Sequence, residues 1–180
     1  MLAEALYNGV ISRLLQENKE FNFLEIGSYH GDGIKMLSNK FPDRKFYSID
    51  PFIEDGFTEQ WSHKLKGESL QDIRIIFEQN IADKHNVRHF DMTTEEFIKN
   101  ELYKDISVDI LFIDGDHSFE GATLDLSLAV LLAEGKTIYV IMDDLQHETV
   151  FRAVDQFKET HEIEINPAEG HKTIYFTLNQ

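Results

Sequence analysis

The stretches VDILFIDGDH (residues 108–117) and TIYVIMDD (residues 137–144) decide how this chain folds. Each is apolar almost without alternation and ends in two acids, as expected of a central strand that is covered on both faces of its sheet. A helix-like segment at 118–132 separates them. Strand, helix and strand in this order are typical of a parallel crossover unit. We therefore predict that the two stretches are neighbouring parallel strands in the middle of an α/β sheet.

The same alternation continues outward along the chain. Further strand-like runs lie at 21–27, 45–50, 86–90, 161–165 and 172–178, and further helix-like segments lie at 1–18, 31–40, 67–83, 94–101 and 147–159. Only the short connection NPAEGH joins the last two strand-like runs, which predicts an antiparallel hairpin. The expected fold is a single domain over residues 1–180, with a doubly wound, seven-stranded, mostly parallel sheet that ends in this hairpin. Residues 53–66 fit neither pattern, and we expect a loop there that could act as a lid.

Composition restricts the class of partner. The 180 residues include 17 Lys and Arg against 33 Asp and Glu, which gives a net charge of −16 and disfavours binding to nucleic acid or to an anionic membrane surface. There is no Cys, so any metal must be held by oxygen or imidazole ligands. No apolar run approaches the ~18 residues of a membrane span. We expect a soluble, cytoplasmic protein.

Ligands of open α/β sheets bind beyond the carboxyl ends of the strands, so the residues at these ends are the candidates for a site. After the first strand, Gly27 and Gly31 precede a helix, but their spacing is not that of a dinucleotide-binding fingerprint. Glu25 would repel a phosphate there and attract an ammonium group. Asp50 ends the second strand, where an acid is well placed to accept hydrogen bonds from ribose hydroxyls. These residues indicate a cationic or zwitterionic ligand with a ribose.

The third strand ends in HFDMTTEEF (residues 89–97). Asp91 is a candidate acceptor for an adenine amino group, with Met92 beside the ring. The alternative is structural, because Thr93 and Glu96 form the capping-box pattern that starts a helix, and Asp91 then merely precedes the cap.

Four acids follow the two central strands: Asp114, Asp116, Asp143 and Asp144. If the strands are neighbours about 4.8 Å apart, these carboxylates converge and their charge needs to be neutralised. A hard divalent cation such as Mg²⁺ is the simplest answer. The alternative is that Asp116 and Asp144 cap the helices that follow them.

With these residues placed, the chain resembles a class I S-adenosylmethionine-dependent methyltransferase over residues 20–178. The segments FLEIGSYHGDG, FIDGDHSFEGATLDL and MDDLQHETVFRAVDQF are similar to the metal-dependent small-molecule O-methyltransferases that include the macrocin and mycinamicin sugar methyltransferases. The resemblance implies a Rossmann-like fold and the cofactors S-adenosylmethionine and Mg²⁺.

The resemblance also implies a role for individual residues. Glu25, Gly27, Ser28 and Gly31 would surround the methionine part of the cofactor, Asp50 the ribose, and Asp91 and Met92 the adenine, with Asp114 beside the cofactor as well. Asp114, Asp143 and Asp144 would hold Mg²⁺, and Asp116 or the adjacent His117 would act as the general base.

One departure from the family bears on assembly. The sugar methyltransferases carry additional helices over the substrate, whereas this chain has only the segments 1–18 and 53–66 for that purpose. The acceptor is then either open to solvent or covered by a second subunit of a homo-oligomer. Two other functions stay open: a metal-independent methyltransferase, and a non-catalytic cofactor-binding subunit that requires a partner.

Overall fold

The computed structural model of the protein describes residues 20–53, 68–167 and 172–179. The predicted N-terminal helix at 1–18 and nearly all of the predicted loop at 53–66 lie outside these residues. No helix in the described ranges is both long enough and apolar enough to cross a membrane.

The described residues form one sheet of seven strands in the order β3-β2-β1-β4-β5-β7-β6. The strands are β1 (Phe23–Ile26), β2 (Phe46–Ile49), β3 (Val87–Phe90), β4 (Ile110–Ile113), β5 (Thr137–Met142), β6 (Asn166–Pro167) and β7 (Ile174–Asn179). The first five strands in chain order pair in parallel, while β7 pairs with both β5 and β6 in antiparallel fashion. The α/β class, the adjacency of the two central strands and the antiparallel end of the sheet are therefore confirmed.

Helices cover both faces of the sheet. They are α1 (Asp32–Lys40), α2 (Leu70–Ile81), α3 (Thr94–Lys99), α4 (Phe119–Leu132) and α5 (Glu148–Thr160), with a 3-10 helix at Leu102–Asp105. Successive side chains of β1 alternate between two hydrophobic clusters, since Phe23 packs with α1 and α2, and Leu24 packs with α3, α4 and α5. This is why the central strands show no polar alternation: both faces are buried.

The predicted strand at 161–165 is wrong. His161 instead ends α5, because its N–H donates to the carbonyl of Phe157 at 3.1 Å and its ring stacks on the Phe157 ring at 4.0 Å. The residues that follow have no regular structure until Asn166–Pro167, which pairs with β7 through Asn166 and Tyr175. The two isoleucines of this stretch pack against the core without a backbone ladder. The alternating pattern therefore indicates which side chains face the core, and it does not indicate whether the backbone is paired.

The strand order reverses between β1 and β4, which fixes where a ligand can bind. Ile26 at the end of β1 is in register with Ile49 of β2 and with Ile113 of β4, and Ile113 is in register with Met142 of β5. The carboxyl ends of β1, β2, β4 and β5 therefore lie side by side at one edge of the sheet. Ligands of open α/β sheets bind among the loops that follow such strand ends.

Candidate active site

A cavity of about 570 Å³ opens at this carboxyl edge, where the strand order reverses. Its wall includes residues that follow β1, β2, β4 and β5. Six of the twelve site residues predicted from the sequence line it: Gly27, Asp50, Asp114, Asp116, His117 and Asp144. The other six stand outside the lining: Glu25, Ser28, Gly31, Asp91, Met92 and Asp143. The cavity therefore lies at the edge of the sheet that the sequence predicted, and half of the predicted residues border it.

Gly27 makes the turn from β1 into the cavity wall. Its φ of +79° lies in the left-handed region, and its N–H donates to the carbonyl of Ile49 at 3.0 Å. A Cβ at this position would stand 2.0 Å from the backbone oxygen of Asp114. Only glycine lets the loop after β1 approach the loop after β4 this closely.

Asp50 fastens the same loop to the end of β2. Its Oδ2 accepts hydrogen bonds from the N–H groups of Ser28 at 2.8 Å and Tyr29 at 3.1 Å, and its Oδ1 accepts from Phe52 N–H at 2.8 Å. Burial raises the pKa of Asp50, and the three backbone donors act against that rise. The carboxylate both borders the cavity and orders two of its loops. Its contact with a ribose stays a prediction.

Glu25, Ser28 and Gly31 lie in or near the same loop but outside the cavity lining. Glu25 and Ser28 are buried, and the hydroxyl of Ser28 lies 2.7 Å from that of Ser48. A Cβ on Gly31 would stand 2.7 Å from the ring of Phe77, so this glycine lets α1 and α2 pack closely. Direct contact of these three residues with the methionine part of a cofactor is likewise a prediction.

The end of β3 differs from the expectation in its details. Asp91 is exposed and ion-paired with Arg74, and Met92 packs against the core. The capping box is present: the Thr93 hydroxyl accepts from Glu96 N–H, and the Glu96 carboxylate accepts from Thr93 N–H. Thr93 and Thr94, rather than Asp91, line the cavity. Contact of Asp91 with an adenine stays a prediction. The alternative is that Asp91 merely precedes the helix cap, and there its carboxylate has a partner in Arg74.

The ends of β4 and β5 bring together Asp114, His117 and Asp144. One donor atom from each lies within 4.8 Å of the other two. His117 Nε2 is 2.8 Å from Asp144 Oδ2 and 3.7 Å from Asp114 Oδ1. Two carboxylates and an imidazole at this spacing can hold a divalent cation or, without one, can pair with each other.

Asp114, His117 and Asp144 change one another's pKa values. Burial raises the pKa of Asp114 to about 6, and the nearby Asp143 and Asp144 add to the rise. Burial alone would lower the pKa of His117, but the neighbouring carboxylates of Asp114 and Asp144 outweigh that effect and raise the pKa to about 10. The bond from His117 lowers the pKa of Asp144. The two carboxylates therefore favour the protonated form of the imidazole.

The Asp143 side chain has partners other than His117, unlike that of Asp144. Its Oδ1 accepts hydrogen bonds from Asp144 N–H at 2.9 Å and from the Thr173 hydroxyl. The predicted metal ligands Asp114 and Asp144 are thus brought together, whereas Asp143 links the end of β5 to the start of β7. A role for Asp143 as a metal ligand stays a prediction.

The structure also assigns partners to the acids that capping could have explained. Asp116 accepts from the N–H and the hydroxyl of Ser118 at 2.8 and 3.0 Å, and Ser118 itself caps α4 by accepting from Gly121 N–H at 3.0 Å. The N-cap residue of α5 is His147, and its side chain makes no capping hydrogen bond. Asp116 therefore contributes to the cap of α4 only by holding Ser118. The Asp144 side chain does not cap α5.

Asp125 is a cavity residue that the sequence reasoning missed. It lies on α4, is only 3% exposed and borders the cavity. Burial raises its pKa to about 7, against the lowering effect of a hydrogen bond with the Thr94 side chain. The signal was available, because Ala122, Asp125 and Ala129 share one buried helical face on which an acid is unusual.

Comparisons with known proteins agree with this geometry. Residues 24–145 match the family described as "Methyltransferase domain". An uncharacterized protein of Acanthamoeba polyphaga mimivirus is 22% identical over 130 residues, which are 72% of this chain and 54% of that protein. The chain thus spans about half the length of this curated relative.

Two similar solved structures have the same fold. A putative caffeoyl-CoA O-methyltransferase from Staphylococcus aureus matches with a TM-score of 0.65 and 17% identity, covering 97% of this chain and 83% of that one. A TDP-rhamnose 3′-O-methyltransferase of calicheamicin biosynthesis matches with a TM-score of 0.64 and 12% identity, covering 97% of this chain and 78% of that one.

The family match covers about two thirds of the chain and includes the loops after β1, β2, β4 and β5, which form the cavity. The chain therefore belongs to the methyltransferase-domain family.

Proposed function

We propose that this protein transfers a methyl group from S-adenosylmethionine to a hydroxyl oxygen of a small molecule, such as a sugar or a phenolic compound, with the help of a divalent cation. The observation that carries the proposal is that one cavity is bordered both by the loops expected to hold the cofactor and by the candidate metal ligands. The loops held by Gly27 and Asp50 form one part of its wall, and Asp114, His117 and Asp144 form another.

The donor set fits a divalent cation. Carboxylate oxygens of Asp114 and Asp144 suit Mg²⁺, and the imidazole of His117 extends the choice to softer ions such as Mn²⁺. A bound cation would orient a hydroxyl group and lower its pKa. Asp143 Oδ1 already accepts hydrogen bonds from Thr173 and from Asp144 N–H, so Asp143 would join the ligands through Oδ2.

The residues of the chain itself would position the reactants and remove a proton. Displacement at the sulfonium methyl needs the acceptor oxygen in line with the breaking bond and relieved of its proton. Asp116 and His117 both border the cavity. Asp116 could accept that proton directly, whereas His117 could accept it only after losing the proton that Asp114 and Asp144 stabilise. Asp116 is held in place by Ser118, and His117 by Asp144.

A second candidate function keeps the cofactor and dispenses with the metal. It is favoured by the contacts of His117, whose side chain already pairs with both carboxylates that would bind the ion. Activity that persists in EDTA would select this function.

The proposed acceptor is a small molecule rather than a nucleic acid or a membrane, because the net charge of −16 opposes polyanions. Tyr29 and Ile53 border the cavity and are 44% and 58% exposed. We propose a second copy of the chain as their cover. Analytical ultracentrifugation tests this, and a strictly monomeric protein that is fully active would contradict it.

The decisive experiment is a calorimetric titration of S-adenosylmethionine and S-adenosylhomocysteine into the protein, followed by assays on sugars and catechols with mass-spectrometric detection of the added methyl group. We expect both cofactor forms to bind, Asp50→Asn to weaken both, and turnover to require Mg²⁺ or Mn²⁺.

The matched variants separate the metal from the cofactor. Asp144→Asn should keep cofactor binding and lose the response to metal, whereas Asp105→Asn makes the same change at an exposed surface position and should behave as the wild type. Failure of the wild type to bind either cofactor form would overturn the proposal.

A further inference from the structure

Three polar side chains form a continuous hydrogen-bonded chain across one side of the sheet. Nδ1 of His89, on the edge strand β3, lies 3.1 Å from the hydroxyl of Ser48 on β2. The Ser48 hydroxyl lies 2.7 Å from that of Ser28, in the loop after β1. Ser48 is completely buried, and Ser28 is 7% exposed. The chain therefore joins the edge of the sheet to a loop that borders the cavity.

The imidazole of His89 has this chain as its hydrogen-bonded contact. Its ring packs against Phe77 and Phe52, with centroid distances of 4.6 and 5.6 Å. Its Nε2 is buried and has no hydrogen-bond partner among the described residues, so the contact with Ser48 is the hydrogen bond that the ring makes. An aromatic ring without nitrogen would avoid a buried polar atom here. The presence of His at this position calls for an explanation.

Ser28 is fixed at two points. Its hydroxyl bonds with Ser48, and its N–H donates to Asp50 Oδ2 at 2.8 Å. The residues on either side of it, Gly27 and Tyr29, both line the cavity. The position of this part of the wall therefore depends on the hydroxyl contact as well as on Asp50.

His89 also contacts the second loop that Asp50 holds. Phe52, which packs against the imidazole, lines the cavity and has a φ of +49° in the left-handed region. Its N–H donates to Asp50 Oδ1 at 2.8 Å. Both loops thus have a contact with His89, the first through the two serine hydroxyls and the second through the ring.

We propose that His89 is a positioning residue for the cofactor, because through Ser48 it fixes Ser28 and with it the loop that binds S-adenosylmethionine. His89 itself stands outside the cavity lining, so it acts through this loop rather than by touching the cofactor. The assignment rests on the proposed binding of S-adenosylmethionine in this cavity.

The test measures the affinity for S-adenosylhomocysteine by calorimetry and the free energy of unfolding by urea denaturation. His89→Phe keeps an aromatic ring and removes the hydrogen bond, so it should weaken binding about fivefold, the effect of one lost hydrogen bond. His89→Asn loses the ring but can place an amide where Nδ1 lies, so it should restore much of the affinity. The Asn variant should nevertheless be the less stable of the two, because it loses the ring contacts. A purely structural role predicts the same order of the two variants in both measurements.

The chain of hydroxyls is tested by a double-mutant cycle. Ser48→Ala breaks the chain in its middle and should weaken binding at least as much as His89→Phe does, and the double variant should weaken it no further. Ser38→Ala is the matched control, since Ser38 is 1% exposed, its hydroxyl donates to the Lys35 carbonyl at 3.1 Å and it stands outside the cavity lining. This control should lose stability and keep the wild-type affinity.

The two positions keep the test decisive, because Ser48→Ala breaks the same chain even if His89→Phe does not fold. Wild-type affinity in either variant, additive effects in the double variant, an affinity in His89→Asn below that of His89→Phe, or an equal loss of affinity in Ser38→Ala would overturn the proposal. If the wild type binds neither S-adenosylmethionine nor S-adenosylhomocysteine, the proposed function itself has failed.

Discussion

Gly27 turns the chain at the end of β1 in a conformation that other residues adopt only with strain. Gly27→Ala should lower the free energy of unfolding by at least about 3 kcal/mol, because the left-handed φ and the 2.0 Å approach to Asp114 both act against a methyl group. Urea denaturation measures the loss. Gly135→Ala is the matched control, since Gly135 has φ +73° but open space around it, and it should cost about 1 kcal/mol. Equal losses in the two variants would show that the close approach has no energetic weight.

Asp125 should make stability depend on pH. Its pKa is raised from 3.8 to about 7 in the folded protein, so the folded state binds more protons than the unfolded state between these values. Stability is therefore greatest below the unfolded pKa, falls as pH rises through this window and levels off above it. The contribution is at most about 4 kcal/mol.

The measurement is the free energy of unfolding of wild type and Asp125→Asn at about pH 5 and about pH 8. The wild type should lose stability relative to the variant between the two pH values. Asp105→Asn, at an exposed position, should show no such relative change. A constant difference between wild type and Asp125→Asn would contradict a raised pKa.

At the scale of elements, one side chain at the start of α4 both caps the helix and contacts a residue of the cavity wall. Ser118 accepts a hydrogen bond from Gly121 N–H and donates one to Asp116, which borders the cavity. Ser118→Ala should cost about 1 kcal/mol of stability and should also lower kcat, because Asp116 loses a partner that orients it.

Ser69→Ala supplies the comparison, since Ser69 caps α2 within a capping box and its side chain is outside the cavity lining. Its stability loss should be similar, with a smaller change in kcat. Denaturation and steady-state assays under the same conditions measure both quantities. An equal fall in kcat in the two variants would mean that Asp116 does not depend on Ser118 for its position.

For the molecule as a whole, β7 joins the last segment of the chain to the core. It pairs with β5 over six residues, and Phe176 is completely buried and contacts the Phe157 ring at 6.0 Å between centroids. Phe176→Ala should lower the free energy of unfolding by 3–5 kcal/mol, roughly the amount that a large aromatic cavity costs. This is a large share of the ~5–15 kcal/mol that stabilises a typical domain.

The neighbouring exposed residue Thr177 provides the control for this prediction. Thr177→Ala removes a side chain from the same strand without opening a cavity, so its effect should stay within about 0.5 kcal/mol. Chemical denaturation of both variants, with one common slope against denaturant, makes the comparison. A small loss in Phe176→Ala would show that β7 contributes little to the core.

Much of the fold followed from local patterns. The apolar runs at 108–114 and 137–143 identified two central strands because both of their faces are covered, and the T-x-x-E pattern at 93–96 identified a helix cap because the bonds involved span only three residues. The run at 161–165 misled the prediction, since its isoleucines are partly buried against neighbouring elements while its backbone lies outside the sheet.

The sequence by itself determined which strand ends carry the acids, and hence the edge of the sheet at which the cavity lies. The tertiary structure decided how each acid is used. Thr173, thirty residues away, draws Asp143 aside, while His117 joins Asp114 and Asp144. Packing of α4 against the sheet buries Asp125 beside Gly115. The physical reason is that patterns along the chain report burial and local hydrogen bonds, whereas the partner of a side chain depends on residues that only folding brings near.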